Sequence, residues 1–232
     1  LHIRYNPWEK VVVLFSAGRG KRAANIFAEN QQLFGSSRLF SVLDTNGKIY
    51  GLNPEIAWNY GFSFTQNFFL FGKSADVTLD FYRTNFQNQA IVDVMQSPQQ
   101  VLFYNLKGNS YANSFQLDFN YEIVKHLNLR TAYKYYDIST DYLSGSFQRP
   151  LQAKHRLFGN LEYATHISDK GQQWRLDATI NWLGKQLLPN TATNPVNDRL
   201  PEFSTSFSTF NMQITAQQSS TLEFYFGGEN IG

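Results

Sequence analysis

Apolar and polar residues alternate along residues 174–182. Trp174, Leu176, Ala178, Ile180 and Trp182 share one parity, and polar residues lie between them. A strand with one buried face requires this period of two. The two tryptophans are separated by roughly 26 Å along a strand, or about 20 Å of height if the strand is tilted by about 40°. This height is close to that of the apolar band of an outer-membrane barrel, which has an aromatic girdle at each edge.

The same alternation recurs along the chain and predicts about ten strands. The apolar parity, which we expect to face outward, is continued by these residues: Leu1, Ile3, Tyr5; Val11, Val13, Phe15; Ile56, Trp58, Tyr60, Phe62, Phe64; Ala75, Val77, Leu79, Phe81; Phe115, Leu117, Phe119, Tyr121; Leu127, Leu129, Tyr133, Tyr135; Leu157, Leu161, Tyr163; Phe210, Met212, Ile214; Leu222, Phe224, Phe226. The opposite parity is polar, and we expect its charged members to face the interior: Asp76, Asp80, Asp118, Arg130, Lys134, Arg175 and Asp177.

The connections between these strands alternate in length. Short connections are predicted at residues 6–9, 67–73, 123–125, 168–171 and 217–220. Long connections are predicted at residues 18–54, 83–110, 137–152 and 184–206, with a short helix over residues 23–32. Short turns at one end and long loops at the other are typical of an antiparallel up-and-down transmembrane β-barrel, with periplasmic turns and extracellular loops. The sequence therefore predicts an all-β barrel segment rather than a Greek-key sandwich.

Composition agrees with this interpretation. Aromatic residues make up 16% of the 232 residues. The mean hydropathy is −0.38, and the sequence contains no apolar stretch long enough for a membrane helix. The net charge of +2 is small and its cations are scattered, so we expect no nucleic-acid partner. We expect the aromatic girdles to contain Trp58, Tyr60, Tyr133, Tyr135, Tyr163, Trp174 and Trp182.

Several motifs follow one another along nearly the whole chain. They are Ser16-Ala17-Gly18-Arg19-Gly20; Leu52-Asn53-Pro54-Glu55 followed by Trp58-Asn59-Tyr60-Gly61; Asn105-Leu106-Lys107-Gly108 leading into Ser114-Phe115-Gln116-Leu117; Lys154-His155-Arg156; and Glu229-Asn230-Ile231-Gly232. In this order they resemble the C-terminal barrel half of TonB-dependent outer-membrane receptors. Lys21 departs from the pattern, because an aromatic residue is usual before Arg22.

The resemblance implies a barrel of about 22 strands around a plugged lumen. Residues 1–232 are then expected to be a partial barrel domain, without the plug, its coupling box and the closing strand. It implies a receptor of the Gram-negative outer membrane that imports a scarce solute, such as a siderophore, cobalamin, glycan or peptide, with energy delivered through TonB. The partners would be outer-membrane lipid, the plug and the remaining strands, and the polar face would contact the plug. The alternatives are a passive porin or adhesin barrel, and a soluble ligand-binding β-domain.

The candidate binding residues lie in the long loops. Phe34, Tyr50, Phe103 and Tyr104 are expected to be exposed there and to contact the solute. Asp76 and Asp80 lie about 13 Å apart, too far for a glycosidase pair, and are expected to pair with cations such as Arg130, Lys134 or Arg175, or to face the plug.

The histidines have no metal-ligand spacing. His126 and His166 are expected to have surface roles, and His155 to form part of a basic strand start near the outer rim. The glycines of residues 16–20 precede no helix, so we expect no phosphate-binding loop. No pattern in the sequence brings together a nucleophile, a general base and a residue that orients the base, as a catalytic site requires. We expect neither an enzyme nor a cofactor.

Overall fold

The computed structural model describes residues 1–231. Antiparallel strands dominate it, and an eleven-stranded sheet contains most of them. The strands are β1 (His2–Tyr5), β2 (Val11–Arg22), β3 (Leu39–Val42), β4 (Glu55–Leu70), β5 (Lys73–Asn88), β6 (Ala90–Asp93), β7 (Gln100–Asn105), β8 (Ser110–Val124), β9 (Leu127–Tyr142), β10 (Gly145–Phe147), β11 (His155–Ala164), β12 (Gln173–Leu183), β13 (Phe207–Gln217) and β14 (Glu223–Gly228). Two four-residue helices, α1 (Ile26–Glu29) and α2 (Gln31–Phe34), and a 3-10 helix (Val196–Asp198) complete it.

The large sheet has the order β1-β2-β4-β5-β8-β9-β11-β12-β13-β14, with β10 added to β9. Every pair in it is antiparallel, and β1 and β14 are its edges, so the sheet is open. Strands that are consecutive in this order are joined alternately by short turns and long loops, which defines a short-turn end and a loop end. The prediction of an antiparallel up-and-down β segment is confirmed. None of the helices in residues 1–231 combines the length and the apolarity needed to cross a membrane.

Several predicted boundaries were wrong. At the loop end β2 continues to Arg22, β5 to Asn88 and β9 to Tyr142, well into three of the predicted loops. The apolar alternation stops earlier, but backbone pairing does not depend on side-chain polarity. The turn predicted over residues 67–73 is only Phe71-Gly72, where φ is 50° and 78°. Two successive positive φ values match a two-residue type I′ hairpin, which follows the twist of the strands.

One face of the sheet is apolar over most of its height, and we call it the apolar face. It leaves large hydrophobic side chains exposed on neighbouring strands, among them Leu117, Leu161, Leu176, Ile180 and Met212. A water-soluble monomer rarely exposes a continuous apolar surface of this extent. Most of the fully buried residues lie instead in segments at the loop end.

An aromatic row marks the loop-end edge of the apolar face. Its members are direct cross-strand partners on five consecutive strands: Phe15, Phe62, Phe81, Phe115 and Tyr135. The next residues of the same parity, in the same strand order, are Ala17, Tyr60, Arg83, Asn113 and Asp137. The face therefore changes from apolar to polar within one step of two residues.

The other face is polar, and we call it the polar face. Asp76 lies opposite Asn120, which lies opposite Arg130. Asp80 lies in a second row with Gln116 and Lys134. Asp118, Arg175 and Asp177 have the same parity, so the seven charged residues predicted for the interior share one face of the sheet.

Candidate functional site: the loop unit and the polar face

Two long loops fold together at the loop end of the sheet. Residues 23–54, with α1, α2 and β3, and residues 89–109, with β6 and β7, form what we call the loop unit. β3 pairs with β7 in parallel and β7 pairs with β6 antiparallel, which gives a three-stranded sheet in the order β3-β7-β6. The sequence pattern predicts a short helix over residues 23–32 in the first segment, but it predicts neither β3 nor the strands β6 and β7 of the second. The apolar run Val101-Leu102-Phe103-Tyr104 was the available signal, because a short continuous apolar run indicates a fully buried strand.

The loop unit has its own hydrophobic core. Ile26 of α1, Leu52, Val94, Val101 and Phe103 are buried against one another. A second cluster forms on the other side of β7 and is made by Ile91, Leu102 and Tyr104. These contacts join residues of two different loops, so the unit packs as one body above the sheet.

The family motifs anchor this unit to the strands. Glu55 is 8% exposed; its Oε2 accepts a hydrogen bond from Arg22 Nε at 2.5 Å, and its Oε1 accepts one from the Ala90 backbone N–H at 3.1 Å. Asn105 exchanges hydrogen bonds with the backbone of Asn53, donating to its carbonyl at 3.1 Å and accepting from its N–H at 2.8 Å. The motifs 52–55 and 105–108 are therefore in contact. Their hydrogen bonds join the end of the first loop, residues 23–54, to the start and end of the second, residues 89–109.

A tight loop precedes that junction. Gly51 has φ of +81°, and a Cβ there would lie 2.2 Å from the carbonyl oxygen of Asp44, so only glycine fits. Asp44 Oδ2 in turn accepts a hydrogen bond from the Asn105 backbone N–H at 2.5 Å. This geometry holds Tyr50 at the outer surface of the unit.

The other quoted motifs lie elsewhere. Residues 16–20 are all inside β2, so they are part of a strand and do not form the predicted transition from strand to loop. Near the C-terminus, the Asn230 backbone N–H donates to Asn211 Oδ1 at 2.8 Å, while Gly232 of that motif lies outside the described residues. The predicted helix over residues 23–32 is found as two shorter helices that end at Phe34.

Aromatic rings extend from the surface of the loop unit into its core. Tyr50 packs edge-on against Phe27, with centroids 4.8 Å apart, and Phe27 stacks on Phe34 at 5.2 Å. Phe34 stacks on Phe40 at 4.3 Å, and Phe40 faces Phe103 at 6.3 Å. Tyr50 and Phe27 are 47% and 48% exposed, so they offer ring surface to a ligand. Phe27 is the residue that the sequence analysis missed.

The prediction that Phe103 and Tyr104 are exposed was wrong. Their exposures are 1% and 0%, because β7 is the central strand of the small sheet and is covered on both faces. The hydroxyl of Tyr104 donates to Asp93 Oδ2 at 2.8 Å and accepts from the Leu143 N–H at 3.0 Å. Burial raises the pKa of Tyr104 above its ordinary value. These two residues stabilise the site rather than contact a ligand.

Of the two roles expected for Asp76 and Asp80, pairing with cations is not found among the described residues, and contact with the plug stays a prediction. Asp76 accepts from the amide of Asn120 at 2.8 Å, and Arg175 pairs with Glu223 of β14. Within residues 1–231, neither Asp76 nor Asp80 forms an ion pair with a basic side chain. Amide donors satisfy a carboxylate on a half-exposed face without the entropy cost of fixing a long cation.

Two cations share one ring on the polar face. Lys134 Nζ lies 5.1 Å and the Arg156 guanidinium 5.6 Å from the ring centre of Tyr136. Arg156 Nε is buried and has no hydrogen-bond partner within the described residues. Nearer the short-turn end, Asp76 and Arg130 line a depression of about 510 Å³. The face therefore presents hydrogen-bonding groups of both charges.

The histidines have separate positions. The rings of His126 and His166 lie 6.3 Å apart near two short turns, and the described residues contain no group of three side chains able to hold a metal ion. His155 lies at the loop-end start of β11, where its Nδ1 and the Tyr133 hydroxyl share a hydrogen bond of 2.7 Å. It extends the aromatic row, because it lies opposite Tyr135.

The predicted girdle residues separate into two groups along the strands. Trp58 and Tyr60 stack with centroids 6.2 Å apart at the loop end of β4. Trp182 also lies at the loop end of its strand, while Tyr135 belongs to the aromatic row and Tyr133 lies two residues below it, near the middle of β9. Tyr163 and Trp174 lie at the short-turn ends of β11 and β12.

Solved structures of similar fold are receptors. The ferric enterobactin receptor PfeA of Pseudomonas aeruginosa, in complex with enterobactin, has a TM-score of 0.63 and 15% identity over 99% of this chain and 34% of that chain. FpvA of P. aeruginosa, bound to heterologous pyoverdines, has a TM-score of 0.65 and 14% identity over 99% of this chain and 28% of that chain. BauA, the ferric preacinetobactin receptor of Acinetobacter baumannii, has a TM-score of 0.61 and 12% identity over 99% of this chain and 31% of that chain.

The chain thus spans about a third of the length of these structures. A search of curated protein sequences gave no match. The model of the family described as "TonB dependent receptor-like, beta-barrel" matches residues 1–231. The chain belongs to the TonB-dependent receptor β-barrel family.

Proposed function

We propose that this chain forms part of a receptor that binds a scarce solute outside the cell and imports it across the Gram-negative outer membrane. The energy for import reaches the receptor from the inner membrane through TonB. In this arrangement the apolar face contacts lipid, the polar face lines the barrel interior and contacts the plug, and the loop unit lies on the extracellular side.

The observation that carries this proposal is the position of the loop unit. It has its own core, it is anchored to β2 and β4 through Glu55, and it holds exposed rings at the loop end of the sheet. Binding residues typically lie on loops that a rigid scaffold positions. A passive pore has no need for a packed body at its loop end.

The similar structures support the same class of solute. They include receptors solved with enterobactin and with pyoverdines. For this chain we propose a solute of comparable bulk, with a siderophore first and cobalamin, a glycan or a peptide as the other classes. Exposed aromatic rings such as those of Phe27 and Tyr50 suit a large, partly polar ligand better than a bare ion.

The binding surface can be tested on the full-length receptor. Tyr50→Ala and Phe27→Ala are expected to weaken solute binding by about tenfold, because exposed aromatic anchors often carry one or two kcal/mol of affinity. Trp8→Ala is the control, because Trp8 is an exposed aromatic residue in a short turn at the opposite end of the sheet. Unchanged affinity in both ring variants would reject this surface.

Energy coupling is tested by uptake of a radiolabelled solute. Deletion of the coupling box in the full-length receptor is expected to abolish uptake and preserve binding. Deletion of residues 89–109 is expected to weaken binding itself. Uptake that persists without the coupling box would indicate a passive porin.

A further inference from the structure

Three cations lie just beyond the aromatic row, on the face that is apolar below it. Arg19 and Lys21 are on β2, and Arg83 is on β5, two strands away. Their parity is that of Phe15 and Phe81, so they continue the apolar face toward the loop end. We call Arg19, Lys21, Arg83, Trp58 and Tyr60 the rim patch.

The aromatic rings of the rim patch lie between the cations. Trp58 lies opposite Arg19, and Tyr60 lies opposite Arg83, so the two stacked rings of β4 have an arginine on each side. Trp58 and Tyr60 are exposed, as are Arg19 and Lys21. Neighbouring strands are about 5 Å apart, which places the two arginines roughly 12 Å from each other.

Amide groups hold the arginines in place. Arg19 Nε donates to Gln87 Oε1 at 2.9 Å. Arg83 donates from Nε to Asn85 Oδ1 at 2.9 Å and from Nη1 to Asn113 Oδ1 at 3.0 Å. None of these acceptors is charged, so the guanidinium charges are oriented but not neutralised.

No acidic side chain of the described residues neutralises the rim patch. Asp137 is nearest by register, and it accepts a hydrogen bond from Asn113 Nδ2 at 3.0 Å. Arg19, Lys21 and Arg83 make no ion pair within residues 1–231. The three positive charges are therefore free to bind an anionic group of another molecule that lies beside the apolar face.

We propose that the rim patch binds the phosphate groups of a phosphorylated lipid in the outer leaflet. The apolar face below it takes the acyl chains, the exposed rings lie at the interface, and the arginines bind phosphate through the nitrogens not used by Gln87, Asn85 and Asn113. The lipid holds β2, β4 and β5 at a fixed depth in the membrane. This inference rests on the proposed membrane placement, but not on the identity of the imported solute.

The test uses the full-length receptor, purified in detergent and mixed with bis-phosphorylated lipid A. Bound lipid is counted by native mass spectrometry, with dephosphorylated lipid A as the comparison. The wild-type receptor is expected to retain the phosphorylated form. Equal retention of the two forms would overturn the proposal.

Variants then locate the site. Arg19→Gln, Lys21→Gln and Arg83→Gln together are expected to weaken retention by about tenfold or more, because each cation near an anionic headgroup contributes about fivefold. Lys48→Gln, Lys125→Gln and Lys170→Gln together remove the same charge elsewhere on the surface and are expected to have no effect. Equal weakening by both triple variants would overturn the rim patch as the site.

Two further measurements keep the result interpretable. The double variant Arg19→Gln, Lys21→Gln leaves the Arg83 hydrogen bonds intact, so its lower retention cannot come from loss of the Arg83 contact between β5 and β8. Membrane fractionation tests the placement itself. A receptor absent from the outer membrane contradicts the proposed function and this inference together. A receptor that is present and imports solute, but does not prefer the phosphorylated lipid, contradicts this inference alone.

Discussion

The hydroxyl of Tyr104 and the carboxylate of Asp93 form a hydrogen bond of 2.8 Å in the interior of the loop unit, where both residues are almost inaccessible to water. Asp93 Oδ1 also accepts from the Met95 N–H at 2.8 Å. The Tyr104–Asp93 pair joins β7 to the last residue of β6, and the Met95 hydrogen bond holds the segment that follows β6. Through the Leu143 N–H the pair also joins the loop unit to the end of β9.

Tyr104→Phe is expected to destabilise the loop unit by about 1–3 kcal/mol, because Asp93 Oδ2 and the Leu143 N–H both lose a buried partner. Hydrogen exchange at the Leu143 amide is expected to accelerate in proportion. Tyr50→Phe is the control, since Tyr50 is exposed and its hydroxyl has no partner in the described residues. Unchanged protection of Leu143 in Tyr104→Phe would contradict the structure.

Stability of the loop unit is expected to fall at high pH. Burial raises the pKa of Tyr104, so the folded unit keeps a proton that an unfolded tyrosine loses near pH 10. The contribution to stability is therefore complete below about pH 10 and is lost as the pH rises further.

The difference in absorbance at 295 nm between wild type and Tyr104→Phe reports the titration of this one tyrosine. The difference should stay flat through the pH range in which exposed tyrosines ionise. A midpoint near 10 would show that Tyr104 is accessible to solvent.

Glu55→Ala is expected to loosen the anchor between β4 and the loop unit, because the Ala90 N–H and Arg22 both lose their acceptor. The expected cost is about 1–3 kcal/mol. Glu55→Gln keeps an acceptor for Ala90 and removes only the charge, so a smaller effect is expected. Hydrogen exchange at the Ala90 amide distinguishes the two variants, and equal rates in both would assign the anchor to the ion pair.

Ile180→Arg is expected to reduce the free energy of folding into bilayers by about 2–4 kcal/mol, since Ile180 lies on the apolar face and an arginine near the midplane contacts lipid. Asn181→Arg, one residue along and on the polar face, is expected to cost much less. Urea unfolding in lipid vesicles measures both. Similar costs at the two positions would contradict the assignment of faces.

Single cysteines in the full-length receptor test the faces over several strands. A water-soluble thiol reagent is expected to label cysteines that replace polar-face residues and to spare those that replace apolar-face residues. The first set is Thr78, Asp118, Asp177 and Thr179, and the second is Val77, Leu79, Leu117, Phe119, Leu176 and Ile180. Equal labelling of both sets would contradict the barrel.

The sequence was sufficient to predict the sheet but not the segments at its loop end. Alternation at period two indicates that the two faces of a strand have different surroundings, which is the situation of Leu176 and Ile180 on the apolar face. It stops at Phe81, because beyond that residue both faces of β5 meet polar surroundings. The strand continues to Asn88 because pairing with β4 and β8 continues.

The loop unit escaped prediction for a different reason. Its strands are short, and β3 pairs in parallel with β7, which lies 58 or more residues later in the sequence. No local pattern specifies such a distant partner. The same limit applies to Asn53 and Asn105, whose motifs could be read as a family signature before their mutual hydrogen bonds were visible.

The parallel pairing of β3 with β7 has a mechanical consequence. Each strand belongs to a different long loop, and four residues of one are in register with four of the other, from Leu39 opposite Gln100 to Val42 opposite Phe103. Neither segment can shift alone without breaking that ladder. A molecule that displaces the ring of Tyr50 therefore also displaces the segment that leads into β8, because the two loops move together.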